Sequence, residues 1–400
     1  MSAIGEGAGP TVTLTQRRRL VAGAYLSMIG LAAATSPIAV CLTAFSRSFP
    51  QLSTTGLGLI ATTSLLGVVA GILISGPLAD RWGLRPYMIL GAVLELAGLL
   101  SISQAPTVAL LLVGIALVGL GTGVLDGLAS PLVAQLQPGN RTRALNWLHA
   151  CYPTGFLLMA FTASRLLAAT DNWRLVFPAI SVPTWGALVL FVVTPFPRHE
   201  EQGEGLATFR RVIGRPLLWI ALLGIMLAGA TEMGVESWAP AYTERVLGRT
   251  RETGAEVLLG FAAAMMVGRL GVGALARRLR PLPLLVAAAL LSLAALLGTA
   301  LGDGALCMAA MVTLGLAVSG MWPTVMAYAA DRVPGGGATL MCLLSATGNV
   351  GAAAAPGFIG AIAEHHGLRT GVLAGAVFPL LAAALMAWRA ARERQRCQCQ

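Results

Sequence analysis

Lysine is absent from this 400-residue chain, and charge of either sign is scarce. All 27 basic residues are arginine, set against 17 acidic ones; charged residues make up 11%, where a soluble domain averages about 25%. Without lysine there is no phosphate-cradling glycine loop ending in that residue, so the chain carries no ATP hydrolysis of that kind. No long polar stretch exists to form a soluble domain on a single membrane anchor. Six cysteines offer no disulfide framework: Cys41, Cys151, Cys307 and Cys342 lie in apolar runs, where cysteine acts as a small hydrophobe. Cys397 and Cys399 form a terminal C-x-C without histidine or carboxylate neighbours, a weak metal signal. His365 and His366, with Glu364, lack zinc-ligand spacing. No metal site, cofactor site or enzymatic constellation emerges. The net charge of +10 is spread in short arginine clusters between apolar runs, without the basic face that nucleic acid requires.

What the chain has in abundance is apolar surface. Hydrophobic residues make up 56%, there are 48 glycines, and mean hydropathy is +0.77 over the whole length. One core cannot hide that much, so the apolar residues must face lipid. A spanning helix needs about 20 mostly apolar residues. Such runs lie at roughly 20–45, 56–78, 87–103, 108–136, 144–167 and 175–196, then 217–242, 257–276, 282–301, 305–330, 338–363 and 371–388. The first 16 residues carry no charged region before an apolar one, so no cleavable signal peptide is expected. Arginines alternate in density along the loops: 19 fall on the side of the termini, 7 on the other, and Arg269 lies within a span. That bias places both termini in the cytoplasm.

The long polar connection, residues 197–216, divides the spans into two sets of six. The chain thus reads as an N-terminal tail (1–19), a first half (20–196), a central loop, a second half (217–388) and a C-terminal tail (389–400). The halves echo each other: Gly76-Pro-Leu-Ala-Asp-Arg81 and Gly273-Ala-Leu-Ala-Arg-Arg278 are offset by 197, Gly119 and Gly315 by 196, and Gly155 and Gly351 by 196. Two parallel six-span repeats describe a transporter with its solute site between the halves at mid-membrane.

The segment GPLADRWGLRP, Gly76 to Pro86, ends the second span. It resembles the signature loop of the major facilitator superfamily, and with twelve spans in two halves the resemblance covers nearly the whole chain. It implies an all-α integral membrane protein of twelve transmembrane helices in two pseudo-symmetric halves. It also implies that Asp80, Arg81 and Arg85 latch the cytoplasmic helix ends of opposite halves, with Gly76 and Gly83 permitting close approach and a tight turn. Arg277 replaces the aspartate in the second half, so an asymmetric latch is expected. GLGTGVLDGLASPLVAQL in span four, LNWLHACYPTGF opening span five, and GATEMGVESWAPAYTERVLG in span seven resemble the fucose-permease-like and related glucose-transporter branches. Ser130 stands where those relatives commonly have asparagine, and the G-x-x-x-G-P stretch of drug/proton antiporters is missing from span five.

Ionisable residues inside spans cost about 2.5–3.5 kcal/mol each on insertion scales and usually face the protein interior. Asp126 shares a helical face with Gly119, Gly123, Gly127 and Ser130, so it points into protein, as a proton carrier or as a satisfied structural carboxylate. His149 and Asn146 share one face of span five, and the antiparallel run of spans four and five brings His149 to the depth of Asp126. Glu232 and Glu236 lie one turn apart in span seven, with Glu232 favoured as the cavity group and Glu236 nearer the surface. Trp322 and Asn349 are candidate cavity lining. Arg269 is expected to snorkel to the surface, binding an anionic solute being the alternative. Glu95 reads as a packing or lipid-edge residue on a peripheral helix. The expectation is a secondary active transporter, not an enzyme, in a bacterial inner membrane. It acts as a monomer and carries a small polar solute such as a sugar or organic acid with protons by alternating access. The alternatives are a proton-driven exporter of a drug-like or biosynthetic metabolite, or a non-transporting sensor on the same fold.

Overall fold

A computed structural model describes residues 12–50, 54–197, 210, 212–333 and 335–398. Arg198, Arg211, Cys399, most of the central loop and the side chains of Arg396 and Cys397 lie outside the described residues. All regular structure among the described residues is helical.

Twelve helical spans follow in order: α1 (Leu14–Val40, continued by Leu42–Ser48), α2 (Thr54–Trp82), α3 (Leu84–Gln104), α4 (Val108–Leu136), α5 (Arg141–Thr170) and α6 (Val176–Ile180 with Val182–Val193). The second set is α7 (Pro216–Glu236 with Ala239–Arg245), α8 (Arg251–Leu275), α9 (Pro281–Leu301), α10 (Gly304–Val318 with Met321–Arg332), α11 (Gly337–His366) and α12 (Leu368–Ala374 with Val377–Gln398). Eleven are long and apolar enough to cross a membrane on those grounds alone. The twelfth is α5, whose 30 residues include Arg141, Arg143, Asn146, His149 and Arg165. Its arginines lie toward the two ends of the helix, and Asn146 and His149 are buried. Lipid-facing side chains such as Leu66, Ile74, Val113, Phe161, Leu291 and Leu306 stay exposed in the isolated chain. The protein is a multi-pass membrane protein.

Interrupted spans follow proline chemistry. Proline lacks the N–H that would bond the carbonyl four residues back, and its ring crowds that carbonyl. Span α10 breaks at Ser319–Gly320, just before Pro323, and α7 breaks before Pro240.

Glycine sets the helix packing, and it does so twice. A Cβ on Gly155 of α5 would overlap the Ile29 carbonyl of α1; one on Gly351 of α11 would overlap the Met226 carbonyl of α7. Likewise Gly119 of α4 abuts the Ser64 carbonyl of α2, and Gly315 of α10 abuts the Phe261 carbonyl of α8. The echoed glycines therefore make equivalent contacts in the two halves. A third pair acts between halves. Gly76 of α2 lies against Thr339 and Cys342 of α11, and Gly273 of α8 lies against Trp147 of α5. Backbones this close gain dispersion contact that larger side chains would forbid.

Candidate functional site: a charged cluster between the halves

The site is clearest when built from the Asp80 end of the bundle upward. Gly83 turns the chain from α2 into α3 with φ of 85°, a conformation that suits glycine. This holds Asp80 at the foot of α2, facing the N-terminus of α11 in the other half. The Asp80 carboxylate accepts from the Ala338 amide (2.6 Å), the Thr339 amide (2.9 Å) and the Thr339 hydroxyl (2.5 Å). Gly337 enters that helix at φ of 55°, and a Cβ there would overlap the carboxylate. Asp80 thus caps a helix across the interface, satisfying orphan N–H groups and meeting the positive end of the helix dipole. The arginines of the loop take other partners. Arg85 donates to the Val192 carbonyl at 2.8 Å within its own half, and Arg81 lies over the Trp82 ring at 4.7 Å. Arg277, the counterpart of the aspartate, is exposed. Between halves at this end there is also an Arg141–Asp331 ion pair at 2.8 Å and a hydrogen bond from the Trp147 indole to the Leu270 carbonyl.

One turn further in, Asn146 donates to the Thr142 carbonyl at 2.8 Å and reaches Thr324 of the other half at 3.4 Å; its own side-chain oxygen is buried without a partner. The His149 ring shares a hydrogen bond with Ser130 at 3.2 Å and lies 6.5 Å from the Trp322 ring. His149 therefore does not pair with Asp126. Ser130 is one helical turn closer to the Asp80 end, and the register of α4 against α5 brings the imidazole to that turn. Trp322 packs against Gly229 and Gly348, with its buried indole N–H unpartnered.

At the next level lies an ion pair. One terminal nitrogen of Arg269 donates to both oxygens of Glu232, at 3.0 and 2.9 Å. Both side chains are buried, Arg269 at 3% exposure. Arg269 does not snorkel: it turns inward because Glu232 and two carbonyls are there to receive it. Its Nε donates to the Ser319 carbonyl at 3.0 Å, and its other terminal nitrogen donates to the His149 carbonyl at 2.9 Å. Asp126 and Asn349 meet across the halves at 3.5 Å, the amide donating, and both keep partial exposure. Glu236 and Tyr152 are also half-buried, and Tyr152 lies within electrostatic range of Glu232, Glu236, Asp126 and Arg269.

The structure thus gathers Asp126, Asn146, His149, Glu232, Glu236, Trp322 and Asn349 near the interface between halves. Sequence reasoning overlooked Tyr152 and the inward course of Arg269. The available signal was spacing, since Pro153 and Pro323 each leave a carbonyl free four residues back. Glu95 lies elsewhere, fully buried in the first half, accepting from Thr122 at 3.0 Å and Thr184 at 2.5 Å.

A family model for the Major Facilitator Superfamily matches residues 20–339. The chain belongs to that superfamily. Among curated relatives, it is 27% identical over 168 residues to the glucose transporter GlcP of Staphylococcus epidermidis, covering 42% of this chain and 37% of that protein. It is 24% identical over 248 residues to the cis,cis-muconate transport protein of Acinetobacter baylyi, covering 57% and 59%. The matched stretches span less than two thirds of these relatives' lengths. The fold extends further: the Escherichia coli fucose:proton symporter FucP superimposes with a TM-score of 0.79 at 19% identity, covering 93% of this chain and 98% of that one. This superfamily protein has the twelve-helix fold in full.

Proposed function

We propose that the protein is a secondary active transporter, not an enzyme, that carries a small polar solute together with protons by alternating access. The first half (20–196) and second half (217–388) rock about the charged cluster, in a bacterial inner membrane, with both termini cytoplasmic and the monomer as the working unit. The Asp80 end is then the cytoplasmic end, and Asp80, with Gly76 and Gly83 shaping its approach, latches it. Arg81 and Arg85 keep the loop in place.

The observation that carries this reading is the charge inventory between the halves. Three carboxylic acids, Asp126, Glu232 and Glu236, lie around Tyr152 with one arginine, whose N–H groups are already engaged by Glu232, His149 and Ser319. An acid-rich site with an occupied arginine disfavours an anionic solute and suits an uncharged polyhydroxyl compound bound by asparagine, histidine and tryptophan. The names of GlcP and FucP point the same way, so a sugar is favoured over an organic acid. Asp126 is the coupling acid in this reading: it is half-buried, and its hydrogen-bond partner is a neutral amide rather than a cation, so protonation strands no opposite charge.

Asp126→Asn mimics the protonated acid at nearly unchanged volume. In proteoliposomes it should retain solute exchange, which needs no net proton release, and lose gradient-driven accumulation, because the empty carrier cannot reset with its proton discharged. Normal accumulation at an unshifted pH optimum by the stable variant would rule Asp126 out as the coupling acid. Equal loss of both modes together with poor thermal stability would show a structural role.

A further inference from the structure

The acceptors of Arg269 share one chemical feature. The His149 carbonyl lies four residues before Pro153, and the Ser319 carbonyl lies four residues before Pro323. In an α-helix each would accept from the amide four residues on, and proline has no amide to give. A carbonyl left open inside a membrane must find another donor. Both find the same guanidinium. Arginine is suited to this, because its planar fork presents donors in several fixed directions at once and keeps its charge.

The three attachments do not lie in one body. Glu232 and Ser319 belong to the second half with Arg269, while His149 belongs to the first. The hydrogen bond to His149 therefore exists only while the halves are together at this level. A neighbouring contact repeats the device: the Gly127 carbonyl, four residues before Pro131 in α4, accepts from the Cys342 thiol of α11 at 3.3 Å.

We infer that Pro153, Pro323 and Arg269 are positioning residues that make closure between the halves depend on the charge of Glu232. This rests on the transport reading above, in which Asp126 is the coupling acid, and adds Glu232 as a second acid whose charge sets the closure of the interface. With Glu232 ionised, the buried guanidinium is neutralised and bridges the halves. With Glu232 protonated, the guanidinium keeps two carbonyls but no carboxylate in direct contact, a costly state for a buried cation. Separation of the halves at the Asp80 end then admits water and relieves it. The groups facing this pair are Glu236 on the same helix and, on α5, Tyr152 together with the carbonyl and the imidazole of His149; Asp126 on α4 reaches the cluster through Tyr152. The one group that can add a second cation is the His149 imidazole; a charge there would repel Arg269 and act in the same direction as protonation of Glu232.

The test needs no solute, so it is independent of accumulation by Asp126→Asn. Spin labels at Gln135→Cys and Arg278→Cys, both exposed and on opposite halves at the Asp80 end, would report the opening there in nanodiscs, with the native cysteines replaced. Glu232→Gln should raise the open population by about tenfold, as expected when a buried pair loses one partner. The open population of the labelled parent should rise as pH falls, and in Glu232→Gln that pH dependence should flatten. Adding Arg269→Gln to Glu232→Gln removes the stranded cation together with the bridge to His149, so the distribution should fall between those of Glu232→Gln and the parent. Pro153→Ala leaves every charge in place but restores an amide that reclaims the His149 carbonyl, so it should open the protein in the same direction. Retention of the parent distribution by both Glu232→Gln and Pro153→Ala would overturn the inference. So would a double variant as open as Glu232→Gln alone. Should Glu232→Gln not fold, the labelled parent and Pro153→Ala decide together: a parent distribution that does not change with pH, or a Pro153→Ala distribution equal to the parent's, would overturn the inference.

Discussion

Glu95 shows how a single residue can be ionisable, buried and remote from the site all at once. It lies on α3, completely covered, with Thr122 of α4 and Thr184 of α6 donating to its two oxygens. A satisfied carboxyl group in that position ties three helices of the first half together. Glu95→Ala strands two buried hydroxyls, and each buried polar group left without a partner costs about 1–3 kcal/mol. Glu95→Gln keeps the volume and an acceptor, so its loss should be much smaller. Thermal midpoints of the purified variants would show this, with transport retained in Glu95→Gln. A wild-type midpoint in Glu95→Ala would remove Glu95 from the packing argument. The contrast with Glu232 is instructive: similar burial, but the partner there is a cation that also touches the other half.

At the scale of helices, the equivalent roles of Gly155 and Gly351 can be tested directly. Each faces a backbone carbonyl of the helix beside it, and a main-chain atom cannot rotate out of the way. Overpacking of this kind costs about 1–3 kcal/mol. Gly155→Ala and Gly351→Ala should therefore lower thermal stability by comparable amounts. Gly271→Ala in α8 is the control, because a Cβ there meets nothing within 4 Å; the better helix propensity of alanine should leave it neutral or slightly stabilised. If Gly271→Ala were as damaging as the other two, close approach would not be what these glycines provide. The boundaries of the helices were largely legible, α4 at 108–136 among them. Span α5 was legible as well, although its polarity hides it from hydropathy alone, because its apolar run was read together with the loops that flank it. The partners of α5 were not legible, since pairing across 120 residues leaves no local pattern.

For the whole molecule, the decisive question is which end is closed. Hydrogen bonds between halves run from Asp80 to the level of Asp126 and Asn349. Toward the other end, Trp173 bonds Ser48, Trp238 bonds the Pro356 carbonyl and Tyr242 bonds the Thr299 carbonyl, each within its own half. Asp80→Asn removes the charge from the cap of α11 and reverses one hydrogen-bonding polarity. Asparagine still caps, so what is lost is the charge at the helix N-terminus, worth about 0.3–1 kcal/mol and present in the closed state alone. Cys342 is a built-in reporter, buried between Ser75 and the Gly127 carbonyl. Its alkylation should accelerate severalfold in Asp80→Asn while membrane insertion stays normal. An unchanged rate would reduce Asp80 to a loop residue.

Composition alone determined that this chain lives in a bilayer, the apolar runs determined twelve spans, and the glycine echoes their two repeats, because lipid imposes length and polarity on every segment locally. The loop from Gly76 to Pro86 was enough to indicate the superfamily. Only the tertiary structure decided what the charges do. It matched Asp80 with the N-terminus of α11, drew Arg269 inward to Glu232, and set His149 on Ser130 instead of Asp126. The physical reason is common to all three. A buried polar group takes whichever complementary group the packing brings within about 3 Å, and in a bundle that group comes from a helix far away in sequence.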